Sequence, residues 1–173
     1  DLGADNTLGY EITMSGITAS ASYARTGVGT DNSVVLIANE LVDGASFGIG
    51  TGTNTASNTS EDDLTTIWAT YVTGPVTMGV QLSEIDKTAA DSDVDREHAA
   101  ISFAVNDSLS ISYGVSNVKY ESATKSDEES SGFSASYTMG SMTLGAVANK
   151  TDSLLGTAGT DRTFTEVSLA FAF

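Results

Sequence analysis

The stretch TFTEVSLAFAF, residues 163–173, decides how this chain is read. Val167, Leu169, Phe171 and Phe173 fall on one side of an extended strand. Glu166, Ser168, Ala170 and Ala172 fall on the other. Strict alternation of large apolar with small or polar side chains marks a strand with two unlike faces. An aromatic residue is also the last in the sequence. Chain ends fray into water, and a terminal Phe gains little there.

Composition narrows the setting. The absence of Cys excludes disulfides and thiolate metal sites. No run of about 18 apolar residues is present, so no transmembrane helix is expected. The mean hydropathy of −0.02 suits a soluble domain, but alternating strands in a membrane barrel average to the same value. A formal net charge of −16 argues against a nucleic-acid partner, which would need clustered Lys and Arg. The opening DLGADNT is polar and is no signal peptide, so the sequence is expected to be mature, processed or incomplete.

Eleven strands are expected, over residues 7–14, 17–25, 33–41, 46–53, 64–71, 76–85, 97–105, 109–119, 131–139, 142–149 and 163–173. Most run for about 8–11 residues, enough for a tilted strand to cross hydrocarbon. Leu8, Tyr10, Ile12 and Met14 line one face of the first, and Val76, Met78, Val80 and Leu82 one face of the sixth. Ile101 and Phe103, Leu109 through Val115, and Phe133 through Met139 repeat the pattern. The opposite faces carry Gly, Ser, Thr, Ala and Gln with few charges. A soluble sandwich would present Lys, Glu and Arg there, and a small filled barrel would present bulky apolar side chains. Lipid on one side and a wet lumen on the other fit both faces.

The connections are expected to alternate between short and long. Residues 15–16, 42–45, 72–75, 106–108 and 140–141 read as tight turns. Residues 26–32, 54–63, 86–96, 120–130 and 150–162 read as long loops. In an up-and-down meander every long loop then lies at one end and every short turn at the other, which is the polarity of outer-membrane barrels.

On the terminal strand, the alternating faces and the loop polarity, the chain resembles a Gram-negative general diffusion porin of the sixteen-stranded, alphaproteobacterial type. The resemblance covers the whole chain as a pattern, and the last strand is its most specific part. It implies an all-β, transmembrane, antiparallel up-and-down barrel. Residues 1–173 would form a single barrel domain lacking its amino-terminal strands, because eleven is odd and bacterial single-chain barrels have even counts. It also implies an outer-membrane location, extracellular long loops, a periplasmic carboxyl end, a homotrimer, and contact with lipid and lipopolysaccharide. Val167, Leu169, Phe171 and Phe173 would be the signal read by the barrel-assembly machinery.

The candidate pore-wall and metal residues are all acidic. Glu11, Glu40 and Glu166, with Glu97 beside them, are expected as charges on the pore wall that bias it toward cations. Arg25 or Lys119 would be the bases able to neutralise them. Fourteen of the twenty-three acidic residues fall in the long loops. Glu61, Asp62 and Asp63, then Asp91, Asp93 and Asp95, then Asp127, Glu128 and Glu129 form runs that read as a solvated rim or as candidate Ca²⁺ ligands. Asp91-x-Asp93-x-Asp95 is not an EF-hand, because Arg96 replaces the required Gly and Ser102 the required Glu. His98 is the only histidine, and no nucleophile elbow or phosphate loop is present. The expected function is a passive, mildly cation-selective channel for small hydrophilic solutes, with no enzymatic activity and no required cofactor. The competing expectations are a twelve-stranded barrel, either an autotransporter translocator or an outer-membrane enzyme, and a soluble, calcium-stabilised β adhesin.

Overall fold

A computed structural model describes residues 6–25, 29–57 and 60–172. Eleven strands follow one another: β1 (Asn6–Met14), β2 (Ile17–Arg25), β3 (Thr30–Val42), β4 (Ala45–Ser57), β5 (Ser60–Thr73), β6 (Val76–Lys87), β7 (Val94–Ala104), β8 (Leu109–Tyr120), β9 (Glu128–Met139), β10 (Met142–Asp152) and β11 (Arg162–Phe171). They make one antiparallel sheet in sequence order, with β1 and β11 at its two edges. No twelfth strand closes onto β11 among the described residues. No described helix is long and apolar enough to cross a membrane.

Turn chemistry fixes the short-turn end. Ser15 and Gly16 both take positive φ, 50° and 80°, as a two-residue hairpin turn requires if its twist is to match the strands. The carbonyls of Gly16, Gly44, Pro75, Ser108 and Ser141 accept hydrogen bonds from Asn39, Val72, Ala104, Thr138 and Ala172. Each hairpin is thereby tied to the next strand. Phe173 lies outside the described residues, and Ala172 shows that the carboxyl end belongs at this end of the sheet.

The other end differs from expectation. Pairing continues into segments read as loops: β3 begins at Thr30, β7 at Val94 and β9 at Glu128, while β10 runs on to Asp152. The expected loop at 54–63 is mostly ladder, with Ser57 still opposite Ser60. The Ser, Thr, Asn and Asp content of these segments imitates loop composition, yet each added residue pair still satisfies its backbone groups across the ladder. The apices at 26–28 and 58–59 lie outside the described residues. Residues 88–93, 121–127 and 153–161 remain as longer connections, and they bind one another. Glu121 N–H donates to Asp93 O at 3.0 Å, and Ser126 N–H to Gly156 O at 3.0 Å. Leu155 N–H donates to the Glu128 carboxylate at 2.6 Å.

The two faces follow the register. Tyr71, Met78, Ile101, Tyr113 and Phe133 form a continuous apolar row across five strands. Leu36, Ile49, Ile67 and Leu82 form another. Among the described residues nothing packs on these rows. Among the described residues only Ala38 and Val94 are buried apolar side chains, while Leu8 is 75% exposed and Val167 70%. The accessible surface is 11422 Å², against about 8,000 Å² expected for a compact monomer of this mass. A single sheet without a core cannot hold this apolar face against water. That removes the soluble adhesin from the expectations.

Hydrocarbon is the surround that stabilises such a face. In lipid vesicles, Ile67→Arg should therefore cost about 2–4 kcal/mol in urea unfolding, and Thr66→Arg on the opposite face much less. Equal costs would contradict two unlike faces.

Candidate functional site

The small, polar face is the candidate site. Its hydroxyl groups pair across the strands: Thr13 with Thr18 at 2.9 Å, Ser22 with Ser33 at 2.8 Å, Ser112 with Ser134 at 2.7 Å, and Ser130 with Thr151 at 2.8 Å. Thr66 and Ser83 pair at 2.9 Å, and Gln81 Nε2 donates to Ser83 at 3.1 Å. This face is crowded. A Cβ added to Gly48 would lie 2.5 Å from Nε1 of Trp68, and one added to Gly145 would lie 2.7 Å from Oγ of Ser168. The apolar side chains opposite are largely exposed instead. Crowding on one face and exposure on the other mean that the sheet curves toward its polar side.

The expected wall charges separate. Glu11 lies on the polar face opposite Ser20, and Glu166 lies there opposite Val147. Glu40 falls outside the ladder. It occupies a bulge between the Asn39–Ser46 and Val42–Ala45 pairs, with φ of 54°, so the alternation gives it no place on the wall. Glu97 is opposite Leu82, on the apolar side, and its carboxylate meets Lys119 Nζ at 2.7 Å. Arg25 shares a row with Thr30 on that same side. Neither Arg25 nor Lys119 therefore reaches the inner wall.

The expected metal ligands are not brought together. Asp62 points to the polar face, whereas Glu61 and Asp63 point away from it, because successive strand residues alternate. The same alternation separates Glu128 from Glu129, while Asp127 lies in the connection before them. Asp91 sits in a turn, Asp93 accepts a hydrogen bond from Lys87 N–H at 2.7 Å, and Asp95 enters β7 opposite Lys119. No three His or carboxylate groups among the described residues converge on a metal-sized position. The acids form an outer collar above the apolar rows instead, with Asp63 opposite Asp86 and Glu84 opposite Asp95. Like charges directly opposite are unfavourable. Lys119 and Lys150 relieve the collar, Lys150 through Asp152 at 2.7 Å.

Val167, Leu169 and Phe171 face outward on β11, opposite Ala146, Leu144 and Met142. Tyr10, Tyr23, Tyr113 and Tyr137 also lie on the outer face. Sequence reading missed the inner row Trp68–Gln81–His98–Ser116. It also missed Arg96, which stands on the inner wall between Ser83 and Val118. Parity counted back from Phe103 would have found Arg96, but its segment was read as loop.

Trp68 is the only Trp in the chain, and its emission reports this wall. Gly48→Val should push the indole off the wall and shift its emission to longer wavelength, because even a Cβ meets the ring at 2.5 Å. Gly9→Ala, with nothing within 4 Å, should leave the emission unchanged. An unchanged spectrum in the first variant would contradict the packing described.

Solved structures share this architecture. An anion-selective porin from Comamonas acidovorans superposes with a TM-score of 0.81 at 16% identity, covering 98% of this chain and 60% of that one. A triple-mutant porin from Rhodopseudomonas blastica superposes with a TM-score of 0.71 at 14% identity, covering 99% and 56%. The NanC porin is matched over 92% of its own length, but with a TM-score of 0.56 at 12% identity. The chain thus spans well under two thirds of the first two. No curated protein sequence matches it closely. The profile of the Gram-negative porins matches residues 2–173, and the chain belongs to that family.

Proposed function

We propose that this chain forms most of the wall of a water-filled outer-membrane pore. Small hydrophilic solutes and ions cross it by diffusion, and no bond is made or broken. The carrying observation is the asymmetry of the sheet: continuous apolar rows on the convex side, and paired hydroxyls with small residues on the concave side. Hydroxyl pairs that satisfy one another leave a hydrophilic surface that binds passing solutes weakly, as free diffusion requires. Further strands would pair with the edges of β1 and β11, since an open edge cannot stand in hydrocarbon. The outer collar of carboxylates lies where strands emerge from lipid, so that end faces the lipopolysaccharide side and the short turns face the periplasm. Assembly as a homotrimer, through the barrel-assembly machinery, is part of this reading and is supported by the family alone.

Selectivity follows from the inner wall. Glu11, Glu166 and Asp62 stand there with Arg96 as a base on β7, and the reading favours a mild preference for cations. A unit charge about 10 Å from a passing ion in water changes the local ion concentration by about a factor of two.

The full porin in planar bilayers should conduct KCl with a reversal potential that indicates cation preference. Glu11→Gln and Glu166→Gln should each lower that preference, by about twofold or less. Glu97→Gln, on the lipid side, should leave it unchanged. Absence of any channel current would overturn the pore. An anion preference, or an effect of Glu97→Gln equal to that of Glu166→Gln, would overturn the assignment of the wall charges.

A further inference from the structure

At several places on the inner wall hydroxyl groups satisfy one another across the strands. The row Trp68–Gln81–His98 is not closed in this way. Gln81 commits its Nε2 to Ser83, while its Oε1, the indole N–H of Trp68 and the imidazole of His98 have no hydrogen-bond partner among the described residues. The next row toward the short turns is Gly79, Ala100, Gly114 and Gly132, which removes side chains where space is needed. Together they line a concavity on the inner wall, bounded by Asn149 and Thr151 at its far side. No carboxylate lines it, in a chain with 23 acidic residues and a net charge of −16, and the one charged lining residue, Lys150, has the parity of the opposite face and is tied to Asp152.

We propose that this concavity is a solute subsite for neutral sugars, resting on the pore reading above. An indole held against Gly48 offers a flat apolar surface, and the apolar face of a sugar ring stacks on such a surface. Gln81 accepts a hydrogen bond from a sugar hydroxyl through Oε1, and His98 donates or accepts one according to its tautomer. Three adjacent strands place these groups across roughly 10 Å, room for one or two sugar rings. Unpaired polar groups beside an aromatic surface form a site that chooses its ligand by hydrogen bonding. The lack of carboxylates makes that ligand neutral rather than cationic, in contrast to the acidic rim. A weak site on the wall raises sugar occupancy without stopping passage.

The test is the KCl conductance of the full porin in planar bilayers, with sucrose as the probe and glycerol as the control, since glycerol has hydroxyls but no ring. Sucrose should lower the conductance along a saturating curve, whereas glycerol should act through viscosity alone. Trp68→Ala should weaken the apparent sucrose affinity about tenfold and Gln81→Ala about threefold, while Trp68→Phe, which keeps a ring, should stay within about twofold. The Trp68→Phe and Gln81→Ala variants carry the test if Trp68→Ala does not assemble. A sucrose effect that follows viscosity alone, or a saturating effect untouched by these substitutions, overturns the subsite and leaves the pore standing. No KCl current before sugar is added overturns the pore reading, and the subsite with it.

Discussion

The structure depends on one constraint: a sheet with no interior must find its apolar partner outside itself. Tyr71, Met78, Ile101, Tyr113 and Phe133 run side by side over five strands with nothing above them. In water that row would drive aggregation. In hydrocarbon it meets its own kind, and the burden passes to the backbone, whose N–H and C=O groups must then all be paired within the protein. The ladder does this between β1 and β11 and leaves the outer edges of those two strands open. The same demand explains why short turns are stitched to neighbouring strands and why a closed cylinder is the stable form.

Curvature then creates the function. Glycines and hydroxyls occupy the side that must crowd, and large apolar residues the side that splays. Gly48 against Trp68 and Gly145 against Ser168 are two expressions of this. A concave wall with paired hydroxyls is wet and weakly adhesive. In the pore proposed above, charges on it would act on passing ions, whereas charges on the convex side would not. Glu97 and Glu166 are the same residue type in similar strands, yet one is tied to Lys119 on the apolar face and the other stands on the polar face. Parity alone separates them.

Much of this was legible in the sequence because period two is a strong signal. All eleven strands were found, and β2 was found at its observed bounds, Ile17–Arg25. The outward set on β1, β6 and β11 followed from alternation, as did the placement of Glu11 and Glu166. What failed was the reading of polar strand ends as loops. Above the membrane a strand has no apolar face to announce it, so residues such as Asp62 and Glu128 look like loop residues although the ladder holds them. That error also made consecutive acids look like metal sites, when a strand turns neighbours to opposite faces. The bulge at Glu40 was hidden for a different reason, since two unpaired residues leave no mark in composition. The row of Trp68, Gln81 and His98 was hidden because it joins residues far apart in the chain, and only the register brings them together.

The central claim is that the two faces of this sheet meet two different media. Single spin labels placed along β8 at positions 110, 111, 112, 113, 115 and 116 of the full porin in bilayers test it directly, and this chain contributes no Cys of its own to confuse the labelling. Collisions with oxygen, which concentrates in hydrocarbon, should peak at 111, 113 and 115. Collisions with a water-soluble nickel chelate should peak at 110, 112 and 116, in antiphase. Two profiles rising and falling together, or an oxygen profile without a period of two, would contradict the account.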